Sequence, residues 1–507
     1  MKNGNIKILV YLMLLFGFIL TNSQISIVVE ARERIEDLKS LRHLVPERWW
    51  EKAAGVKILT LKKGPRYSYA HPISIDPKKA ERQLDKIKEE GFQAIEIFAP
   101  AEGLYAYNGL DTKNHFRIDP DIGTMDDFRR LVRIAHSKNL AVFVFYNLGY
   151  FSIEAPDWIE ACKDRNGGKA KWFWWADKRD APSPPESIYF NLSKKGWEKV
   201  KETWGWQYSN LAGCYYWSRW MTKNKDGNYV GLPQNNWASE EWPKEAERIV
   251  HFWMDSGIDG MIIDAPIFYA GCTWRKNNEH ITDVISSYGN TMIQPEGARS
   301  VAWIIKGGYN CMQDYGLYQW DDKWHFGKNS IMDALETGDP RPIEESLCGY
   351  HDIIAAAGGI LYRIVQGLHS FDDSSKRHLE RATVAAIGDL VVYNRKASSP
   401  DIEETWILKT KQSHPALQQL SARRKLRTNA DSKYYAFLRT AKDKSESILI
   451  VLNFQNTSQT VKVDLSGIPR IGLVELKNCE LIIPQDTFEV ELPAYGYRFY
   501  QVLMAKE

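Results

Sequence analysis

Residues Met125 to Tyr146 read MDDFRRLVRIAHSKNLAVFVFY, and this stretch decides the fold class. Its first half, Met125 to Ser137, sets charges around an apolar stripe, the pattern of a helix with one buried face. Its second half, Ala141 to Tyr146, is wholly apolar at strand length, which marks a strand buried on both faces. The same unit stands before it. Asp76 to Glu90 carries charges around Ala80, Leu84 and Ile87, and Gly91 stops it. Ala94 to Phe98 then reads as a buried strand ending at Ala99-Pro100. Apolar strands alternating with helices predict a parallel sheet covered on both faces.

Further along the chain, the rhythm breaks between about residues 148 and 236. This stretch is rich in Trp, Tyr, Pro, Lys and Gly, including Trp172-Phe173-Trp174-Trp175. It reads as an insert leaving the end of the third strand. Alternation resumes with a helix near Ser239 to Ser256 and strands at Ile258 to Ile263 and Met292 to Pro295. Further strands are expected at Cys311 to Tyr315, Leu361 to Gln366 and Leu390 to Tyr393. Together these predict an α/β fold of eight βα units, a (β/α)8 or TIM barrel. After about residue 430, strand-length runs succeed one another without a helix: Tyr434 to Leu438, Ser447 to Asn453, Thr460 to Leu465 and Phe488 to Leu492. A C-terminal antiparallel β-sandwich is expected. The reading divides the chain into an N-terminal lead-in at 25–64, the barrel at 65–430 with its insert at 148–236, and the sandwich at 431–507.

The formal net charge is +2 over 507 residues, so nothing attracts a polyanion, and nucleic acid is not an expected partner. The 19 Trp and 25 Tyr imply either a large aromatic core or stacking surfaces for flat ligands. Lys2 and Lys7 precede an apolar run from Ile8 to Leu20, with Thr21-Asn22-Ser23-Gln24 after it. The run is short for a membrane span and reads as a cleaved export signal over 1–24, with an uncleaved anchor as the alternative. A secreted or periplasmic chain is expected, with no stable membrane association once the signal is cut. The six cysteines are scattered and lack metal spacing. In an exported chain some would pair, but the sequence selects no pairing. Asn191-Leu192-Ser193 and Asn456-Thr457-Ser458 are glycosylation sequons.

Three acids stand after expected barrel strands. Asp264 comes directly after Gly257-Ile258-Asp259-Gly260-Met261-Ile262-Ile263, Glu296 directly after Met292-Ile293-Gln294-Pro295, and Asp372 shortly beyond the strand at Leu361 to Gln366. C-terminal strand ends build the active sites of such barrels. Neighbouring strands lie about 4.8 Å apart, close to the roughly 5–5.5 Å between the two carboxyls of a retaining glycosidase. At that spacing one carboxylate can attack an anomeric carbon while the other, protonated, serves the leaving oxygen.

These residues resemble the α-amylase family, glycoside hydrolase family 13. Gly257 to Ala265 is similar to its strand-four signature. Arg117-Ile118-Asp119-Pro120-Asp121-Ile122-Gly123-Thr124-Met125-Asp126-Asp127-Phe128 resembles the lead into its second barrel helix. Asn235-Asn236-Trp237 and the helix reaching Phe252-Trp253 resemble the approach to strand four, and Asn453-Phe454 to Tyr495-Gly496-Tyr497 its C-terminal sandwich. The resemblance implies a glycosidase that cleaves α-linked glucans or glucosides by double displacement, with transglycosylation as a relative of the same mechanism. Asp264 is then the nucleophile, Glu296 the general acid/base and Asp372 the carboxylate that holds the distorted sugar. The insert corresponds to the family's domain B, and the partner is a carbohydrate substrate.

Departures are also visible. The family's Arg two residues before the nucleophile is Ile262 here, and its Asp near the end of strand three is matched best by Asn147. The His before the third carboxylate is Phe371. The Tyr flooring the sugar site is Leu110, with Asp111 retained beside it. Asp111 and Asn147 are therefore the expected substrate-binding residues. Losing both members of the Arg–Asp pair avoids an uncompensated buried charge and suits a rebuilt pocket. It also removes a cation that would keep Asp264 ionised, which leaves a catalytically silent carbohydrate-binding or accessory protein as the rival reading. Calcium occurs in relatives near the insert junction, but no stretch offers a dense set of oxygen ligands. No metal site is assigned and no cofactor is expected to be required. Trp204, Trp206, Trp217 and Trp220 in the insert read either as a sugar-stacking wall or as a subdomain core.

Overall fold

A computed structural model describes residues 44–62, 70–103, 109–184, 205–223, 229–266, 274–296, 307–313, 330–348, 360–365, 373–388, 390–393 and 399–504. Its centre is a parallel sheet with strands β1 (Gly55–Thr60), β2 (Ala94–Phe98), β3 (Ala141–Tyr146), β4 (Gly260–Ile263), β5 (Met292–Pro295), β6 (Cys311–Gln313), β7 (Ile360–Val365) and β8 (Leu390–Tyr393). They are ordered 5-4-3-2-1-8-7-6, with β5 and β6 at the two edges. The two edges approach each other. Asn310, just before β6, donates its backbone N–H to Ile293 O at 3.2 Å and accepts from Ile293 N at 2.8 Å through its side-chain oxygen.

Helices α1 (Pro77–Glu89), α2 (Met125–Ser137), α3 (Glu241–Met254), α4 (Trp274–Ser286), α5 (Ser330–Thr337), α6 (Arg341–Ser346), α7 (Ser374–Ile387) and α8 (Ile402–Ser413) connect or succeed these strands. Local chemistry fixes their starts. Asp76 caps α1 by accepting from Lys79 N, and Thr124 with Asp127 forms a capping box on α2. Alternation along the strands sorts the core in two. Val56, Ile58, Phe143, Phe145, Ile262, Met292, Cys311 and Val392 share an inner cluster, to which every sheet strand with described side chains contributes. Ile95, Val142, Val144, Met261, Ile263 and Val391 face outward onto the helices. Gly260 opens β4 at φ 154°, where a Cβ would lie 2.2 Å from Met292 O, so only glycine lets β4 approach β5 there.

The sheet starts earlier than the expected boundary at residue 65. β1 lies within the stretch read as lead-in, and the preceding turn carries Trp49 and Trp50 into the inner core, where Trp49 stacks on Phe143 at 5.5 Å. The insert leaves after β3 and forms its own antiparallel sheet from Trp175–Ala176, Gly205–Ser209, Cys214–Lys223 and Tyr229–Pro233. Trp206 and Trp217 are buried there edge to face at 5.3 Å, as a subdomain core requires; Trp220 is partly exposed, and Trp204 lies outside the described residues.

From Ala422 onward the strands are antiparallel. A six-stranded sheet faces the pair Gln459–Asp464 and Thr487–Leu492, and Tyr434, Ala436, Leu449, Val451, Val461, Val463, Phe488 and Leu492 fill the space between. The other face of the six-stranded sheet, with Tyr435, Phe437, Ile448 and Phe499, joins the outer core of the parallel sheet. Among the described cysteines Cys162, Cys214, Cys311, Cys348 and Cys479, no disulfide is formed. No described helix is long and apolar enough to cross a membrane. The expected signal segment and Cys272 lie outside the described residues.

Candidate active site

Register builds the site. β4 and β5 pair in parallel with Ile263 opposite Pro295, so the next residues, Asp264 and Glu296, leave the sheet side by side. Two backbone bonds pin them: Asp264 N donates to Tyr146 O and Glu296 N to Ile263 O, each at 2.9 Å. Ala265 then turns through φ 41° and donates its N–H to Glu296 Oε2 at 3.3 Å.

The two carboxyls are close enough for Glu296 to act directly on the ionisation of Asp264. Asp264 is buried, and burial pushes its carboxyl well above the usual range; the charge of Glu296 acts in the same direction. One group opposes them. Tyr150 donates its hydroxyl to Asp264 Oδ2 at 3.3 Å and favours the ionised form.

Tyr150 is held by a residue the sequence does single out. Asn147 donates through Nδ2 to Tyr150 O at 2.8 Å and to Leu110 O at 2.9 Å, and accepts from Gly149 N at 2.7 Å. Its amide thus ties the end of β3 to the loop after β2. Asp111 is next to Leu110 and is buried. Nearby, Lys62 donates to Gly109 O at 3.2 Å. Burial lowers Lys62 to about 8, while Asp111, Asp119 and Glu102 act to hold it up. Gly103 makes room for this contact, since a Cβ there would stand 2.6 Å from Gly109 O and 3.1 Å from Lys62 Nζ. Asp264, Glu296, Asn147 and Asp111 therefore belong to one end of the sheet. Asp372 and Phe371 lie outside the described residues. Ile262 is buried in the inner core directly below Asp264.

Among the described residues one group has the composition of a metal site: His378, Asp401 and Glu404. Arg377 bonds both carboxylates, at 3.1 and 2.9 Å, and His378 bonds Asp401 at 2.8 Å, so this is an ion-pair network joining α7 to the start of α8.

Residues 80–301, which carry both carboxyls, match the family model of the α-amylase catalytic domain, and residues 424–499 match that of the maltogenic amylase C-terminal domain. The chain belongs to the α-amylase family. The oligo-1,6-glucosidase of Heyndrickxia coagulans is 26% identical to this α-amylase-family chain over 218 residues, which is 43% of the chain and 35% of that relative. The trehalose synthase of Thermus thermophilus is 28% identical over 189 residues, 37% of this chain and 18% of that protein. The alignments thus span about a third or less of these relatives. The fold matches more widely. The α-amylase from H. orenii superposes with a TM-score of 0.67 at 15% identity, covering 89% of this chain and 99% of that one. The trehalulose synthase of Pseudomonas mesoacidophila gives 0.67 at 14% identity, covering 90% and 99%.

Proposed function

We propose that this α-amylase-family chain is a glycosidase that cleaves α-glucosidic bonds in glucans or glucosides with retention of configuration. One observation carries the reading: Asp264 and Glu296 leave adjacent strands at the same level, each directly after the paired residues Ile263 and Pro295. In this mechanism Asp264 attacks the anomeric carbon while protonated Glu296 donates to the departing oxygen. The deprotonated Glu296 then activates the water that releases the sugar. Asp372 would bind the sugar ring, and Asp111 would lie at the sugar site with Asn147 positioning its walls. The names of relatives support α-glucosides as the substrate class. Closure of the sheet between β5 and β6 into a full (β/α)8 barrel belongs to the same reading, supported by the two Asn310 bonds. So does export directed by residues 1–24. No metal is assigned to the chemistry.

A panel of α-glucosides and α-glucans tests the activity, and proton NMR of the first-formed anomer tests the mechanism. Two displacements at one carbon must give an α-product from an α-substrate. A β-anomer formed first would remove Asp264 from its role as nucleophile. An absence of turnover across the panel would favour the silent carbohydrate-binding protein.

A further inference from the structure

The helix Pro156–Lys163 leads into the insert and buries Trp158, Ala161 and Cys162. Its buried face lies on the insert's antiparallel sheet. The ring of Trp158 stacks on Trp175 at 5.0 Å and meets Tyr216 edge to face at 4.8 Å, and Trp175 and Tyr216 are partners in that sheet. Cys162 follows Trp158 by one helical turn, about 6 Å along the axis. On the strand Cys214–Lys223, Cys214 stands two residues before Tyr216, about 7 Å away and on the same face. Helix and strand therefore advance in step.

A side-chain contact fixes the direction. Cys162 Sγ lies 3.7 Å from Ser209 Oγ, and Ser209 is the residue directly opposite Cys214 in the ladder. Opposed residues of an antiparallel pair carry their side chains on one face, with Cβ atoms about 5 Å apart. The hairpin between them is tight: Gly213, at φ 65°, donates its N–H to Ser209 O at 2.9 Å, and Ala212 N donates to Ser209 Oγ at 3.2 Å. Cys162 is buried and Cys214 partly exposed. Arg165, just beyond the helix, stands 3.5 Å over the Trp175 ring. Burial pushes both thiols up, and the charge of Arg165 pulls both down toward the thiolate; Cys214 also acts on Cys162 as a like charge. The other described cysteines belong elsewhere: Cys311 to the inner core, Cys348 beside Glu344, and Cys479 to the turn after Glu475.

We propose that Cys162 and Cys214 are a disulfide-forming pair, which fastens the insert's hairpin to the helix Pro156–Lys163 when the protein meets a disulfide oxidant such as oxidised glutathione. The Cys214 thiolate, the more accessible of the two, attacks one sulfur of the oxidant and expels a glutathione thiolate. The Cys162 thiolate then attacks Cys214 Sγ in the mixed disulfide and expels the second glutathione. Two protein thiols lose two electrons and two protons, and one oxidised glutathione becomes two reduced ones. The bond closes a loop of about 50 residues, which restricts the unfolded chain. It fastens the sheet whose Trp220 packs beside Tyr150, with ring centroids 6.4 Å apart. The pairing is independent of the glycosidase reading.

The full chain is purified under reductant, dialysed against oxidised glutathione under native conditions, alkylated and digested for mass spectrometry. A peptide pair joined through Cys162 and Cys214, lighter by two hydrogens than its reduced parts, is the expected product. The oxidised parent should melt about 3 °C or more above the reduced one. Cys162→Ser and Cys214→Ser should each melt alike in both redox states. Full alkylation of both cysteines after oxidation overturns the pairing, as does glutathione held on Cys214 without the joined peptide, or a bond from either cysteine to any other. A joined peptide that leaves the melting temperature unchanged overturns the fastening. The parent alone carries both of these tests, so a variant that fails to fold does not shield the proposal.

Discussion

Tyr150→Phe is the most direct probe of how this site holds its charge. The substitution removes one oxygen and leaves the ring packed beside Trp220, with centroids 6.4 Å apart, so the fold should be unaffected. The lost bond is 3.3 Å long and runs to a carboxylate. Hydrogen bonds to charged groups contribute about 1.5–3 kcal/mol, and one this long belongs at or below the lower end. A loss of ~1–1.5 kcal/mol corresponds to roughly 5–13-fold in kcat/KM at 1.36 kcal/mol per decade. The pH dependence gives a second reading. The hydroxyl favours ionised Asp264 against burial and Glu296, so removing it raises that carboxyl further. A nucleophile must be ionised, so the acidic limb of kcat/KM should move to higher pH. The assay is a pH–rate profile on a short α-glucoside. An unmoved limb with kcat/KM within twofold of the parent would show that Tyr150 does not govern Asp264.

Glu296→Gln should cost about 10²–10⁴-fold in turnover, the usual worth of a general acid/base, and Asp264→Asn at least as much; near-normal rates in either would end the site assignment. Asp264→Asn should also stabilise the protein. A carboxyl raised above the ordinary aspartate value of 3.8 supports folding only while protonated, and that support fades as pH rises through the folded value. The variant should therefore melt like the parent near pH 4 and be about 0.5–2 kcal/mol more stable near pH 8, the usual gain from relieving functional strain; equal melts at pH 8 would contradict this. His115, buried against Tyr146 and lowered to about 3 from 6.5, stays neutral in the fold. Below pH 6.5 only the unfolded chain gains its proton, so stability should fall by ~1.4 kcal/mol per pH unit. Denaturant titrations of the parent and His115→Gln between pH 7 and 5 check this, and parallel slopes would refute it.

The carboxyl pair was legible because strand register is a short-range consequence of sequence. Apolar runs end at Ile263 and Pro295, and the next residue in each must emerge at the sheet's end. β1 escaped the same test because Lys57 interrupts its apolar run; only the fold shows that Lys57 is buried and paired with Glu90 at 2.5 Å. Trp49 and Trp50 likewise read as leader until the strand beyond them places them in the inner core. Tyr150 gave no signal at all. Its position depends on the three bonds of Asn147 and on Phe151 N donating to Pro233 O at 3.0 Å, where the insert returns. The aromatic excess was visible, but its division between cores and exposed planes was not, because exposure is decided by packing partners far apart in the chain.

The placement of one proton links these observations. The charge of Glu296 beside Asp264 adds to burial in favouring a proton on Asp264. In the ligand-free fold burial favours keeping that proton on Asp264, with Ile262, Phe145 and Met292 forming the apolar layer below. Double displacement needs the opposite assignment, with Asp264 ionised and Glu296 protonated. In the proposed mechanism a bound α-glucoside would supply the reversal. As the glycosidic bond breaks, the anomeric centre would become positive toward Asp264 and favour its ionised form. The proton would then pass from Asp264 to the neighbouring Glu296. The free protein, which governs kcat/KM, should therefore lose activity on acidification at a higher pH than the complex, which governs kcat. Full pH profiles of both constants measure the gap. Coincident acidic limbs would mean that Asp264 is already ionised before substrate arrives, held so by a cation near it.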